Sequence, residues 1–287
     1  MAFSTPAKCF NEQFMDQERW TEVDRYITER VLPADPALEA ALAASDAAGL
    51  PAIQVSPNMG KLLQLLAQSI GARGILEIGT LGGYSTIWLA RAVTPGGRVV
   101  TLELNSAFAE VARSNLARAG LAARVEVRIG PALETLPLLA AEASGPFDLI
   151  FIDADKESTA EYFRWALKLS RRGSLIVVDN VVREGTLIDE DRRDSHIQGI
   201  RDFYELAAAE PRVSMTAIQT VGIKGYDGFA VALVAVEAAQ QYARPALGED
   251  AAEFPAGDDE NAFLEEEEEG EADVPGIVGG GKNEERS

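Results

Sequence analysis

Apolar residues along this chain fall into two regimes. Between Trp20 and Ile70 they recur at helical spacing. Val23, Tyr26, Ile27 and Val31 mark a first helix, which Pro33 and Pro36 interrupt. An alanine-rich helix follows over 36–49 and ends on Gly49. Ser56-Pro57 opens a third, with the serine as N-cap and proline in the first turn, reaching about Ile70. Beyond that point short apolar runs alternate with helical stretches. Strands are predicted over 74–79, 98–103, 125–129, 147–152 and 174–179, and helices over 83–93, 106–120, 131–143, 156–170 and 196–210. The last two strands, 213–220 and 226–236, are separated by Val221-Gly222-Ile223-Lys224-Gly225, short enough for a hairpin. Strand–helix alternation of this kind predicts an α/β fold with a doubly wound, parallel sheet.

Three of these strands stop on an acid. Phe147-Asp-Leu-Ile-Phe-Ile is followed by Asp153, Ser174-Leu-Ile-Val-Val by Asp179-Asn180, and Arg98-Val-Val-Thr-Leu by Glu103. A buried parallel strand reads as a continuous apolar run, and ligands of open α/β sheets bind outside the strands' carboxyl ends. One helix and its loops fit between Asp153 and Asp179, so the two strands are expected to be neighbours. Two carboxylates and an amide at one sheet edge suit Mg²⁺ or a similar hard cation that keeps open positions. Acids at strand ends also cap helices, and this pair alone leaves both roles open.

The first strand runs through Glu77 to Gly79 and is followed by Thr-Leu-Gly82-Gly83-Tyr84-Ser85. A glycine-rich turn between a strand and a helix lets a ligand approach the backbone and the helix N-terminus. Glu103, at the end of the second strand, can accept hydrogen bonds from both hydroxyls of a ribose. A nicotinamide dinucleotide and S-adenosylmethionine both use that geometry. The middle glycine of G-x-G-x-x-G is missing, and Glu77 would repel a phosphate. S-adenosylmethionine carries an ammonium and a sulfonium and no phosphate, so the sequence favours it over NAD.

Composition bounds the rest. The chain has 287 residues, 47% of them hydrophobic, and a net charge of −20. Residues 248–287 hold 15 acidic and two basic side chains, −13, and include Glu265 to Glu269 in a row. The other 247 carry 31 acidic and 24 basic, −7, which argues against nucleic acid as substrate. The expected organisation is a poorly ordered N-terminus over 1–19, a catalytic domain over 20–240 and an acidic disordered tail over 241–287. No apolar run spans a bilayer, the first residues lack a signal-peptide pattern, and Cys9 is the single cysteine. A cytoplasmic protein with no membrane partner is expected. His196, the single histidine, lies beside the charged stretch 189–194 and reads as a surface group, which excludes imidazole clusters and His-dependent triads. Tyr84, Trp88 and Trp165 read as packing residues.

With these motifs in order, the chain resembles the cation-dependent class I O-methyltransferases, the catechol and caffeoyl-CoA O-methyltransferases and their small relatives. The resemblance covers about residues 20–236. It rests on Leu76-Glu-Ile-Gly-Thr-Leu-Gly-Gly-Tyr-Ser85, Phe151-Ile-Asp-Ala-Asp-Lys156 and Val178-Asp-Asn180. It implies a Rossmann-like, mostly parallel seven-stranded sheet with an antiparallel last strand, and N-terminal helices over the substrate side. It implies Asp153, Asp179 and Asn180 as ligands of Mg²⁺ or another divalent cation, and Lys156, with Asp153, as catalytic. Val55, Glu77, Gly79, Ser85, Glu103, Ala132 and Asp155 resemble contacts to S-adenosylmethionine. Without the motif, Lys156 would be a solvated first-turn lysine and Ser85 an ordinary early-helix residue. The implied reaction is methyl transfer to a hydroxyl of a small catechol-like or other phenolic acceptor. A homodimer is implied by the resemblance alone. Competing readings are an NAD-dependent oxidoreductase on a similar sheet, a non-catalytic scaffold acting through the acidic tail, and an RNA methyltransferase. After Asn180 the chain reads Val181-Val-Arg183-Glu184-Gly185, where many relatives have a tryptophan and a smaller polar residue, so their acceptor does not transfer.

Overall fold

The structure is a computed structural model and describes residues 9–235, with side chains from Gln17 onward. The acidic tail and the first eight residues lie outside the described residues. Three helices come first: α1 (Cys9–Val31), α2 (Pro36–Ala47) and α3 (Pro57–Ser69). Asp35 caps α2 by accepting from the Ala37 and Leu38 amides, and Ser56 caps α3 through the Met59 amide, each with proline in the first turn. Helical backbone begins well before Trp20, where the sequence shows no clean apolar period. Polar bonds hold part of this helix. Gln17 donates to the Gly222 carbonyl, and Asp24 accepts from Asn58 and from the Ile223 amide.

Then come β1 (Gly74–Ile78), α4 (Tyr84–Ala92), β2 (Arg98–Glu103), α5 (Ser106–Arg118), β3 (Val125–Ile129), α6 (Ala132–Ala141) and β4 (Phe147–Ile152). The chain continues through α7 (Thr159–Leu169), β5 (Ser170–Asp179), α8 (Ser195–Ala209), β6 (Val213–Gly222) and β7 (Gly225–Val234). Besides the start of α1, two predicted boundaries move by more than two residues. Residues 156–158 form a short 3-10 turn ahead of α7, and β5 starts at Ser170 instead of 174.

The seven strands form one sheet in the order β3-β2-β1-β4-β5-β7-β6. All neighbouring pairs are parallel except β5–β7 and β6–β7. Side chains alternate across the pleat, so each face builds its own core. Leu76, Ile78, Ile150, Ile152, Ile176 and Val178 pack on one face with Phe163 of α7 and Phe203 of α8. Ile75, Leu149, Phe151 and Val177 pack on the other with Leu63 of α3 and Ile87 of α4. The connection from β1 leads outward to β2, whereas β4, lying on the other side of β1, is followed by β5. Strand order therefore reverses between β1 and β4, and such a switch point leaves a crevice above the carboxyl ends. Register then decides what meets there. Ile78 pairs with Ile152 and Ile152 with Val178, so Gly79, Asp153 and Asp179 follow side by side. Among the described residues no helix is long and apolar enough to cross a membrane.

Candidate active site

The glycine turn after β1 is shaped by close approach. Gly79 has φ +103°, and a Cβ there would lie 2.0 Å from the Asp153 carbonyl oxygen. Only glycine accommodates both conditions. The turn enters α4 through Gly83, φ +81°, with no side-chain cap, so the first amides of α4 stay available to a ligand. Glu103, at the tip of β2, accepts from the Leu81 amide at 2.8 Å and the Asn105 amide at 2.9 Å. These bonds fix its carboxylate beside the turn.

Glu77 does not face the crevice. Its side chain is fully buried beneath α4, where it accepts from Ser85 Oγ at 2.6 Å, Thr101 Oγ1 at 2.7 Å and Thr86 Oγ1. Burial pushes its pKa up to about 7 against the pull of those three hydroxyls. The turn residue that reaches the crevice is Ser85, with Glu77 behind it.

A cavity of about 700 Å³ opens over the strand tips. Gly79, Ser85 and Glu103 line one side, Val55 and Ala132 flank it, and Asp153, Asp155, Lys156 and Asn180 close the other. Of the residues singled out in the sequence, this cavity collects all but Glu77 and Asp179. A second cavity of about 560 Å³ lies between α1, α3 and the β6–β7 turn. It takes Asp179, shares Asn180 and Val55 with the first, and continues past Arg183.

Between the cavities sits the acid pair. Lys156 Nζ donates to Asp153 Oδ1 at 2.9 Å and to the Asp179 carbonyl at 3.2 Å. Asp179 Oδ1 accepts from the Asn180 amide at 2.9 Å, and Asn180 takes the left-handed φ of +58° that asparagine tolerates. Burial, then the nearby charge of Asp153, pushes the Asp179 carboxyl up to about 7 although Lys156 opposes the shift. Lys156 thus bonds the carboxylate of Asp153 but only the backbone of Asp179, an arrangement short of positive charge. Among the described residues no group of three or more His, Cys, Asp or Glu side chains could hold a metal. Any cation centre here needs a further oxygen donor, and Asn180, which follows Asp179, lines both cavities. The donor chemistry fits a hard divalent ion.

Several contacts around the crevice were not visible in the sequence. Tyr162 on α7 is buried and donates to Asp155 Oδ1, and its hydroxyl pKa is driven up by burial and by that carboxylate. Asp227 of β7 accepts from the Val182, Arg183 and Gly228 amides, clamping the loop after β5. Neither partner lies within a motif, and only the seven-residue spacing of Asp155 and Tyr162 was a local signal. His196 is exposed as expected and pairs with Glu157 at 2.8 Å, and it lines the first cavity. Tyr84 and Trp88 are buried in the core, and Trp165 packs against it.

Comparison with known proteins agrees with this geometry. The O-methyltransferase family model matches residues 35–233. A catechol O-methyltransferase of Mycobacterium tuberculosis is 57% identical over 221 residues, 77% of this chain and 99% of that protein. The crystal structure of an O-methyltransferase from Bacillus cereus in complex with SAH is 60% identical, with a TM-score of 0.75 over 76% of this chain and 99% of that one. The O-methyltransferase TomG from Streptomyces achromogenes, solved with SAM, is 52% identical, with a TM-score of 0.75 over 77% of this chain and 100% of that one. Likeness at this level, over essentially the whole of each relative, decides between the two cofactors left open above: the chain belongs to the O-methyltransferase family, and it is an S-adenosylmethionine-dependent enzyme.

Proposed function

We propose that the enzyme methylates a hydroxyl of a small catechol-like phenol, with Asp153, Asp179 and Asn180 holding Mg²⁺ or another divalent cation. The observation that carries this reading is the acid pair at adjoining strand tips, poised between two cavities and served by a single lysine. The name of the Mycobacterium tuberculosis relative supports a catechol as acceptor class. A divalent ion would supply the charge that acidifies a phenol, whose free pKa is about 10, and would hold two adjacent ring oxygens.

The chain's own residues supply the rest. Lys156 Nζ, held by Asp153, would accept the phenolic proton as the neutral amine, after an earlier loss of its own proton to water. The phenolic oxygen then forms a bond to the methyl carbon as the carbon–sulfur bond breaks, leaving S-adenosylhomocysteine. Glu103 receives the ribose hydroxyls, and Ser85, Asp155 and the amides at the start of α4 face the remainder of the cofactor. Val55 and Ala132 pack beside it. Fixing both reactants in one crevice can lower the barrier by up to roughly 7–11 kcal/mol.

Transfer of label from S-adenosylmethionine to catechol, with Mg²⁺ and with chelator, tests the proposal. Asp179→Asn should lower turnover roughly 10²-fold or more while S-adenosylhomocysteine still binds in calorimetry. Near-normal turnover in chelator would remove the metal from the reaction.

A further inference from the structure

The second cavity carries two cations that its acids leave largely unused. Its acids are Asp24, Asp179, Glu184 and Asp227. Asp24 is occupied by Asn58 Nδ2 at 3.0 Å and the Ile223 amide at 2.8 Å. Asp227 Oδ1 is occupied by three backbone amides at 2.8–3.0 Å. Asp179 belongs to the cation centre proposed above, and Glu184 is exposed.

Lys224, in the β6–β7 turn, has one hydrogen bond, to the Ala52 carbonyl at 2.8 Å. No carboxylate among the described residues forms an ion pair with it. The residue is exposed, and partial desolvation of its amine lowers its pKa. Arg183 has one loose ion pair and no side-chain hydrogen bond among the described residues. Its nearest carboxylate oxygen, Asp227 Oδ2, is 3.6 Å away, too far for a hydrogen bond. Its Nε is buried with no partner. A guanidinium offers five N–H donors in a fork that matches a carboxylate, and none of them is placed on a described acceptor. A buried donor left unmade is unfavourable, and a bound anion would relieve it. The backbone is constrained to present this side chain. Arg183 and Glu184 adopt left-handed φ values of +55° and +57°, held by the Asp227 clamp.

We propose that Arg183 and Lys224 form an anion subsite in the acceptor cavity, so that phenols bearing a carboxylate are preferred to their neutral analogues. This rests on reading that cavity as the acceptor site. The cofactor has a carboxylate of its own, and Arg183 lines both cavities. Lys224 lines the acceptor side alone, which assigns the anion to the acceptor.

The test is steady-state methylation of catechol, 3,4-dihydroxybenzoate and 3,4-dihydroxybenzamide by the full chain, with S-adenosylhomocysteine titrations beside it. The wild type should favour the benzoate over the benzamide at least tenfold in kcat/KM, through KM. The ratio should fall toward one in Lys224→Met and Arg183→Met and persist in Lys224→Arg. A wild-type ratio near one, with catechol still methylated, overturns the subsite and leaves the methyltransferase reading standing. A ratio unchanged in both methionine variants overturns the assignment to these residues. A tenfold loss of S-adenosylhomocysteine affinity in Arg183→Met, with the ratio kept, gives the arginine to the cofactor instead. Failure of all three compounds with Mg²⁺ present overturns the acceptor reading and this inference with it.

Discussion

Replacing Glu77 with glutamine should remove a pH-dependent weakness from the fold. Glu77 has no exposed surface and a pKa pushed from an ordinary 4.5 up to about 7. A carboxyl whose folded pKa is raised binds more protons in the native state than in the unfolded state between those two values. Stability must therefore fall as pH rises through that window. A shift of about 2.5 units at 1.36 kcal/mol each is roughly 3 kcal/mol, fully developed above pH 7. Glutamine keeps the shape, and the Ser85, Thr86 and Thr101 hydroxyls can rotate to suit its amide. Wild type and Glu77→Gln should be close in stability near pH 4.5–5, and the variant should be more stable by roughly 3 kcal/mol at pH 8. Urea unfolding of the ligand-free proteins across this range measures the difference directly. For a folded region of this size, roughly 2–4 °C in Tm per kcal/mol gives about 6–12 °C at pH 8. Taking the difference cancels the similar titration of Asp179. A flat difference from pH 5 to 8 would mean that the three hydroxyls outweigh burial and Glu77 is ionised throughout.

Two further substitutions probe how the crevice is held. Gly79→Ala puts a methyl 2.0 Å from the Asp153 carbonyl on a backbone at φ +103°. Left-handed strain and overpacking together should destabilise by roughly 2–5 kcal/mol, with S-adenosylhomocysteine affinity lost in calorimetry; an unchanged melting curve would refute the contact. Tyr162→Phe deletes the donor to Asp155 and leaves the Lys156–Asp153 pair intact. The KM for S-adenosylmethionine should rise about tenfold with kcat little changed, since a hydrogen bond to a charged group contributes about 1.5–3 kcal/mol; a fall in kcat alone would contradict that role.

What was legible in the sequence follows from what a buried parallel strand requires. Such strands must be continuously apolar, so β4 and β5 announced their ends by Asp153 and Asp179, and register did the rest. β7 was legible from its apolar run after Gly228, and its antiparallel pairing from the short turn. The start of β5 was hidden because Ser170-Arg171-Arg172-Gly173 has no strand pattern. That segment is held by a register shift opposite Phe147 and by Arg171 pairing with Asp148. Glu77 was read as a cofactor contact, and the structure buries its side chain away from the crevice. It points to the Ile75 side of the sheet, under α4, and its nearness to Gly79 concealed this. The anchors of α1 and the Asp227 bonds to Val182 and Arg183 join residues 34 to 205 positions apart, beyond any local signal.

Weakness and chemistry coincide in this fold. Asp179 and Glu77 both have ionisation opposed by burial, and the charge of Asp153 disfavours both. A protein selected for stability alone would fill such positions with neutral residues. Here Asp153 and Asp179 crowd the strand tips where a divalent ion would sit in the proposed reaction, with Glu77 buried behind Ser85. A cation that favours the ionised form of a buried acid lowers that acid's pKa and is itself bound more tightly, by linkage. The folded chain thus withholds charge compensation at the site, and its ligands supply it. Specificity for cationic ligands follows from the same burial that weakens the empty protein.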